Sequence, residues 1–85
     1  MFLHLGNDWA VAVRDIISIH DYTIFKSPDN QAYLKKIEQQ GRLVNMLEKK
    51  PKSVVVTADK VYLSAISSLT LKHRADLPFN IDEKY

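Results

Sequence analysis

Lys49, Lys50 and Lys52 surround Pro51 directly ahead of the run Ser53-Val54-Val55-Val56-Thr57, and the next acidic residue after them is Asp59. Ammonium groups at the entry to a strand are presented on a scaffold rather than on a floppy tail. Their chemistry is that of point charges offered to a polyanion. A lysine-rich strand entry is also a solubility and edge-protection device, and these residues alone leave both readings open. Arg14 stands between two apolar runs, beside Asp15. Its guanidinium can close a local Arg–Asp pair or grip a phosphate through two parallel N–H bonds.

Other chemistries find less support. His4, His20 and His73 fall in three separate segments, with no HxxxH and no His–acid pair at metal-ligand spacing. Ser18, His20 and Asp21 are the residue types of a hydrolase triad, but they lie within four consecutive residues, whereas a triad needs base and orienter to converge on the nucleophile from different directions. The only glycines, Gly6 and Gly41, fit neither a P-loop nor a dinucleotide fingerprint. These absences point away from an enzyme, and no cofactor is implied.

The elements that must position the cations are legible in part. Phe2-Leu3-His4-Leu5 reads as a strand, Gly6-Asn7-Asp8 as a turn tolerant of positive φ, and Trp9 to Val13 as the returning strand of a hairpin. Alternation puts Trp9, Val11 and Val13 on one face, with Trp9 either core or an interface anchor. Past Arg14-Asp15 a strand resumes at Ile16, with Ile17 and Ile19 expected on one face and Ile16, Ser18 and His20 on the other.

Ser27-Pro28-Asp29 is a helix start: an N-cap, a proline at the first helical position and an acid in the first turn. The helix should run to about Gln40, stop at Gly41, and turn Tyr33, Leu34 and Ile37 inward. Leu43 to Leu47 is ambiguous between strand and loop. Val54 to Thr57 and Val61 to Ala65 read as an antiparallel pair around the turn Ala58-Asp59-Lys60. Tyr62 on the second of these faces either outward or a neighbouring subunit. Ser67-Ser68 offers N-caps for a second helix, Leu69 to about Ala75, burying Leu71 and one of Leu69 or Ala75.

An 85-residue chain makes one domain, assigned to residues 1–75, followed by an acidic tail over 76–85. A chain this short has a thin core, for which oligomerisation is a usual remedy. With no cysteine there is neither a disulfide framework nor a thiolate site. No signal peptide and no apolar window near the roughly 20 residues of a membrane span are evident, so a cytoplasmic protein that does not engage membranes is expected. The net charge of +2 hides a polarised distribution: residues 49–74 hold six Lys/Arg against Asp59 alone, a net of +5.

One resemblance covers residues 2 to about 75. The succession Gly6, then Val11-Ala12-Val13-Arg14-Asp15-Ile16-Ile17-Ser18-Ile19, Ser27-Pro28, Lys52-Ser53-Val54-Val55-Val56-Thr57 and Val61 through Arg74 resembles the RemA/RemB family of bacterial extracellular-matrix (biofilm) regulators. The isoleucine run after Arg14 and the final helix look closer to the RemB branch. The resemblance implies an α+β fold, a small antiparallel sheet with two α-helices, LytTR-like. It implies a ring-shaped homo-oligomer that binds double-stranded DNA and regulates transcription of matrix genes.

By position, Arg14 matches the arginine after the family's second strand, and Lys49 and Lys50 match an arginine pair before the valine strand. Lys52 completes the expected DNA-binding set. Lys-Lys-Pro in place of the arginine pair keeps the charge but loses the planar fork, so backbone binding is expected in preference to base reading. The competing reading is a ring-forming interaction module that partners a related regulator without touching DNA.

Overall fold

A computed structural model describes residues 1–6, 8–45 and 47–75; the assigned acidic tail, 76–85, lies outside the described residues. The class is α+β, as read, and the elements stack in three layers. Strand β1 (Phe2–Gly6) pairs antiparallel with β2 (Trp9–Ala12) as a separate hairpin. The hairpin covers one face of a four-stranded sheet of order β3-β5-β6-β4, made of β3 (Ile16–Asp21), β4 (Leu43–Val44), β5 (Ser53–Thr57) and β6 (Val61–Ser64). Helix α2 (Ser68–Ala75) shares that face, and α1 (Pro28–Gln39) covers the other.

The central strand β5 serves both layers because its side chains alternate. Val54 packs with Phe25, Leu34, Ile37 and Val61 on the α1 side, whereas Val55 packs with Leu3, Leu5, Val11, Ile19 and Leu71 on the other. Two buried serines join the layers: Ser64 Oγ donates to the Leu5 carbonyl at 2.7 Å, and Ser53 Oγ donates to the Ile66 carbonyl at 2.7 Å. Each buried hydroxyl is thereby satisfied, as burial requires.

Both helices start on serines expected to cap them, and α1 stops at the expected glycine. Ser27 Oγ accepts from the Asn30 amide, with Pro28 at the first helical position. Gly41, at φ 71°, ends α1; its amide bonds the Glu38 carbonyl and the Arg42 amide bonds the Ile37 carbonyl, a Schellman closure. Leu34 and Ile37 are buried as anticipated, while Tyr33 remains 39% exposed and only touches the Phe25 ring. Ser67 Oγ caps α2 by accepting from the Thr70 amide at 3.2 Å, and Leu71 and Ala75 face inward, leaving Leu69 outside.

Three features depart from expectation. A bulge in β3 shifts the register between Ile16, opposite Thr57, and Ser18, opposite Val56. The extra residue is Ile17, which swings out to 60% exposure while Ile16 joins Ile19 in the core; the expected sharing of a face by Ile17 and Ile19 is lost. The sheet is mixed rather than purely antiparallel. Leu43-Val44 runs parallel to β6 because β5 and β6 form a hairpin whose second strand returns in the direction of β4. Finally, Tyr22–Lys26 forms a 3-10 helix that buries Phe25.

Candidate nucleic-acid interface

Lys52 occupies the most rigid position of the basic set. Its amide donates to the Ser64 carbonyl at 2.8 Å and its carbonyl accepts from the Tyr22 amide at 3.0 Å. The residue is therefore held between β6 on one side and the end of β3 on the other, extending β5 by one pair. Its side chain is exposed, as are those of Lys49 and Lys50 in the loop before it, with Pro51 half-buried between them. Among the described residues no hydrogen bond or ion pair engages the side chain of Lys49, Lys50 or Lys52, although Glu48 is adjacent in sequence.

Arg14 is elsewhere. It lies in the 3-10 turn Val13–Asp15 that links β2 to β3, and Ile16, two residues on, pairs with Thr57. The lysines enter β5 at Ser53, which pairs with Asp21. One chain thus puts Arg14 and the lysines beyond opposite ends of β5, a strand that alone spans about 13 Å at ~3.3 Å per residue. They do not form one cluster.

The local Arg14–Asp15 pair is not made either; Arg14 has no hydrogen-bonded or ionic partner among the described residues. It borders a groove of about 630 Å³ lined also by Phe2, Ala12, Ile17, Thr57 and Asp59. Phe2 is 68% exposed there.

Four titratable groups outside the basic set are shaped by their surroundings. Burial first, and Lys72 second, push the His20 imidazole below its usual range. Its Nε2 lies 2.9 Å from Ser18 Oγ, and its ring meets Phe25 edge-on. Asp21 does not complete a triad: its carboxylate accepts from the amide and hydroxyl of Thr23, both at 2.8 Å, and those bonds hold it below the ordinary carboxylate range. Burial, then Asp59 and Asp15, raise the Tyr62 hydroxyl. Tyr62 is half-buried against Trp9, with ring centroids 5.9 Å apart, so both aromatics serve the packing of the hairpin on the sheet. Burial lowers Lys72. No group of three or more His, Cys, Asp or Glu that could hold a metal occurs among the described residues.

The element missed in the sequence is the 3-10 helix Tyr22–Lys26, whose first residue donates its amide to the Lys52 carbonyl and whose last residue is the exposed Lys26. The signal was Asp21-Tyr22-Thr23, an acid two residues before a threonine, a pattern in which a side chain bonds the backbone two residues on.

Comparison with known proteins gives this arrangement its setting. Residues 2–75 match the RemA-like family, described as Extracellular matrix regulatory protein A-like. The chain belongs to the RemA-like family. It is also 44% identical, over 82 residues, to Extracellular matrix regulatory protein B of Bacillus subtilis (strain 168), an alignment covering 96% of this chain and 99% of the relative. The RemB side of the family is therefore where this RemA-like chain sits. Among the described residues no helix is long and apolar enough to cross a membrane.

Proposed function

We propose that this RemA-like protein is a non-enzymatic, DNA-binding transcriptional regulator of extracellular-matrix genes that works in the cytoplasm as a ring-shaped homo-oligomer. The observation that carries the DNA reading is the unpaired basic entry to β5: Lys52 clamped by backbone bonds on both sides, Lys49 and Lys50 ahead of it, all three exposed. The role in matrix gene regulation rests on the name of the relative.

Physical scale supports the oligomer. A single subunit offering three or four phosphate contacts would bind weakly, since non-specific affinities at physiological salt are typically about 0.1 mM to 1 µM. Repeating the patch raises the effective concentration for every contact after the first. Arg14 and the lysines lie at opposite ends of β5, so a continuous basic surface needs neighbouring copies. The exposed Phe2 and Ile17 beside Arg14 are apolar area suited to such a contact. Contacts made to phosphate favour shape and bendability over base sequence.

The test is anisotropy of a labelled random-sequence duplex across a salt series, with size-exclusion and light scattering on the same protein. Each phosphate contact adds roughly 0.9 to the slope of log K against log salt. Replacing Lys49 and Lys50 by alanine should flatten the line by about two such contacts, and an unchanged slope would remove them from the interface. Assembly without any binding of duplex would favour the interaction-module reading, for which the groove at Arg14, with its mixed apolar and charged lining, speaks.

A further inference from the structure

We infer that the 3-10 segment Tyr22–Lys26 is a second wall of the same polyanion surface, with Lys26 a phosphate contact and Asp21 the charge that limits its strength. The inference rests on the DNA-backbone reading above and adds residues that the basic loop does not contain.

Position comes first. Asp21 pairs with Ser53 at the last rung of the β3–β5 ladder, and the Tyr22 amide donates to the Lys52 carbonyl. The chain then leaves the sheet beside Lys52, at the lysine end of β5, and reaches the exposed Lys26 within one short helix. Continuing the alternation of β5 back by one residue from Ser53 puts Lys52 on the side of Val54, the side on which Phe25 packs. Lys52 and the 3-10 helix therefore share one face of the sheet.

Rigidity comes next, because a charge that is already ordered loses less freedom when it grips a phosphate. At the start of the segment, the Asp21 carboxylate accepts two bonds from Thr23. In the middle, Phe25 is buried among Leu34, Ile37, Val54 and Val61, and the Tyr22 ring stacks on it at 6.5 Å and 22°. At the end, Asn30 Nδ2 donates to the Ile24 carbonyl at 2.8 Å, and Ser27 Oγ donates to the same oxygen. The backbone that carries Lys26 is thus fixed on both sides, whereas Lys49 and Lys50 sit in an open loop.

Charge sets the limit. Asp21 interacts with Lys26 through space, and Asp29 follows in the first turn of α1, where it complements the helix dipole. Asp21 is needed to cap the segment, but only its oxygen is needed for that, not its charge. Asparagine keeps an acceptor at the cap and removes the repulsion toward phosphate.

The experiment is the salt series on the full chain with a labelled random-sequence duplex, comparing wild type, Lys49→Ala, Lys26→Ala, Lys26→Arg and Asp21→Asn, each checked for folding by circular dichroism. Lys26→Ala should lower the slope by roughly 0.9, as Lys49→Ala does, and Lys26→Arg should hold it at the wild-type value. Asp21→Asn should tighten binding by roughly 1.5- to 5-fold, the range set by exposed charge pairs. A wild-type slope for Lys26→Ala alongside a flattened one for Lys49→Ala would overturn this inference and leave the DNA reading standing. Wild-type protein that shows no salt-dependent binding would overturn both.

Discussion

The two ends of β5 are built differently, and on that difference rests the proposed division into a polyanion-binding end and a subunit-contact end. At the Ser53 end the backbone of Lys52 is bonded on both sides, the neighbouring 3-10 helix is anchored by the buried Phe25, and Lys49, Lys50, Lys52 and Lys26 are exposed, with Asp21 and Glu48 among them. At the Thr57 end Arg14 rises from a short turn beside a groove with Phe2, Ile17, Asp15 and Asp59, where apolar area and both signs of charge are mixed. A polyanion asks for ordered like charges. A protein partner asks for apolar area with complementary charges at its rim. The proposed function assigns one to each end of a single strand.

The sharpest way to break this contrast is through stability. Phe25→Ala should cost about 3–5 kcal/mol in urea unfolding, because it empties the core under the lysine end. Ile17→Ser, at the other end, should stay within about 0.5 kcal/mol, since Ile17 is a bulge residue turned to solvent. Equal losses would mean that the Arg14 end is as embedded as the lysine end.

Binding gives the next largest effect. The combined Lys49→Ala, Lys50→Ala and Lys52→Ala variant should lower the salt slope for duplex DNA by roughly 2.7, against roughly 0.9 for Arg14→Ala. Matching slopes would place the phosphates at the wrong end. Self-association should respond in the opposite sense: Ile17→Asp should reduce the mass seen by light scattering, and the triple lysine variant should not.

The smallest effect concerns pH. The folded state depresses the His20 pKa, so the unfolded chain takes up a proton first as pH falls below the usual histidine value of about 6.5. The stability associated with neutral His20 is complete above that value. It declines on acidification through the window down to the depressed folded pKa. His20→Gln should remove this part of the decline in Tm between pH 7 and pH 5, and an identical profile would show that the imidazole is not held neutral by its surroundings.

The expected helix starts at Ser27 and Ser67, the stop at Gly41 and the β5–β6 hairpin are all present, because a cap or a turn is chemistry among residues within a few positions of one another. The bulge at Ile17 was not legible, since it exists only as a mismatch of register with β5, and alternation alone put Ile17 on the face of Ile19. Strand β4 was ambiguous for a similar reason: two residues carry no period, and only β6 beside them makes them a strand. The 3-10 helix had a local signal in Asp21 and Thr23, but its anchor, Phe25, needs Val54 and α1 to be buried.

By itself, the sequence determined the α+β class, the two helix starts and the end of α1, the valine strand with its basic entry and the family, through local chemistry and matching residues along the chain. Tertiary structure alone decided where the cations go. Arg14 and Lys52 each adjoin a strand, and nothing in their spacing says which ends meet. The antiparallel pairing of β3 with β5 settles it, bringing Asp21 to Ser53 and Ile16 to Thr57. The same pairing separates the guanidinium from the lysines and brings the start of the 3-10 helix that carries Lys26 to Lys52.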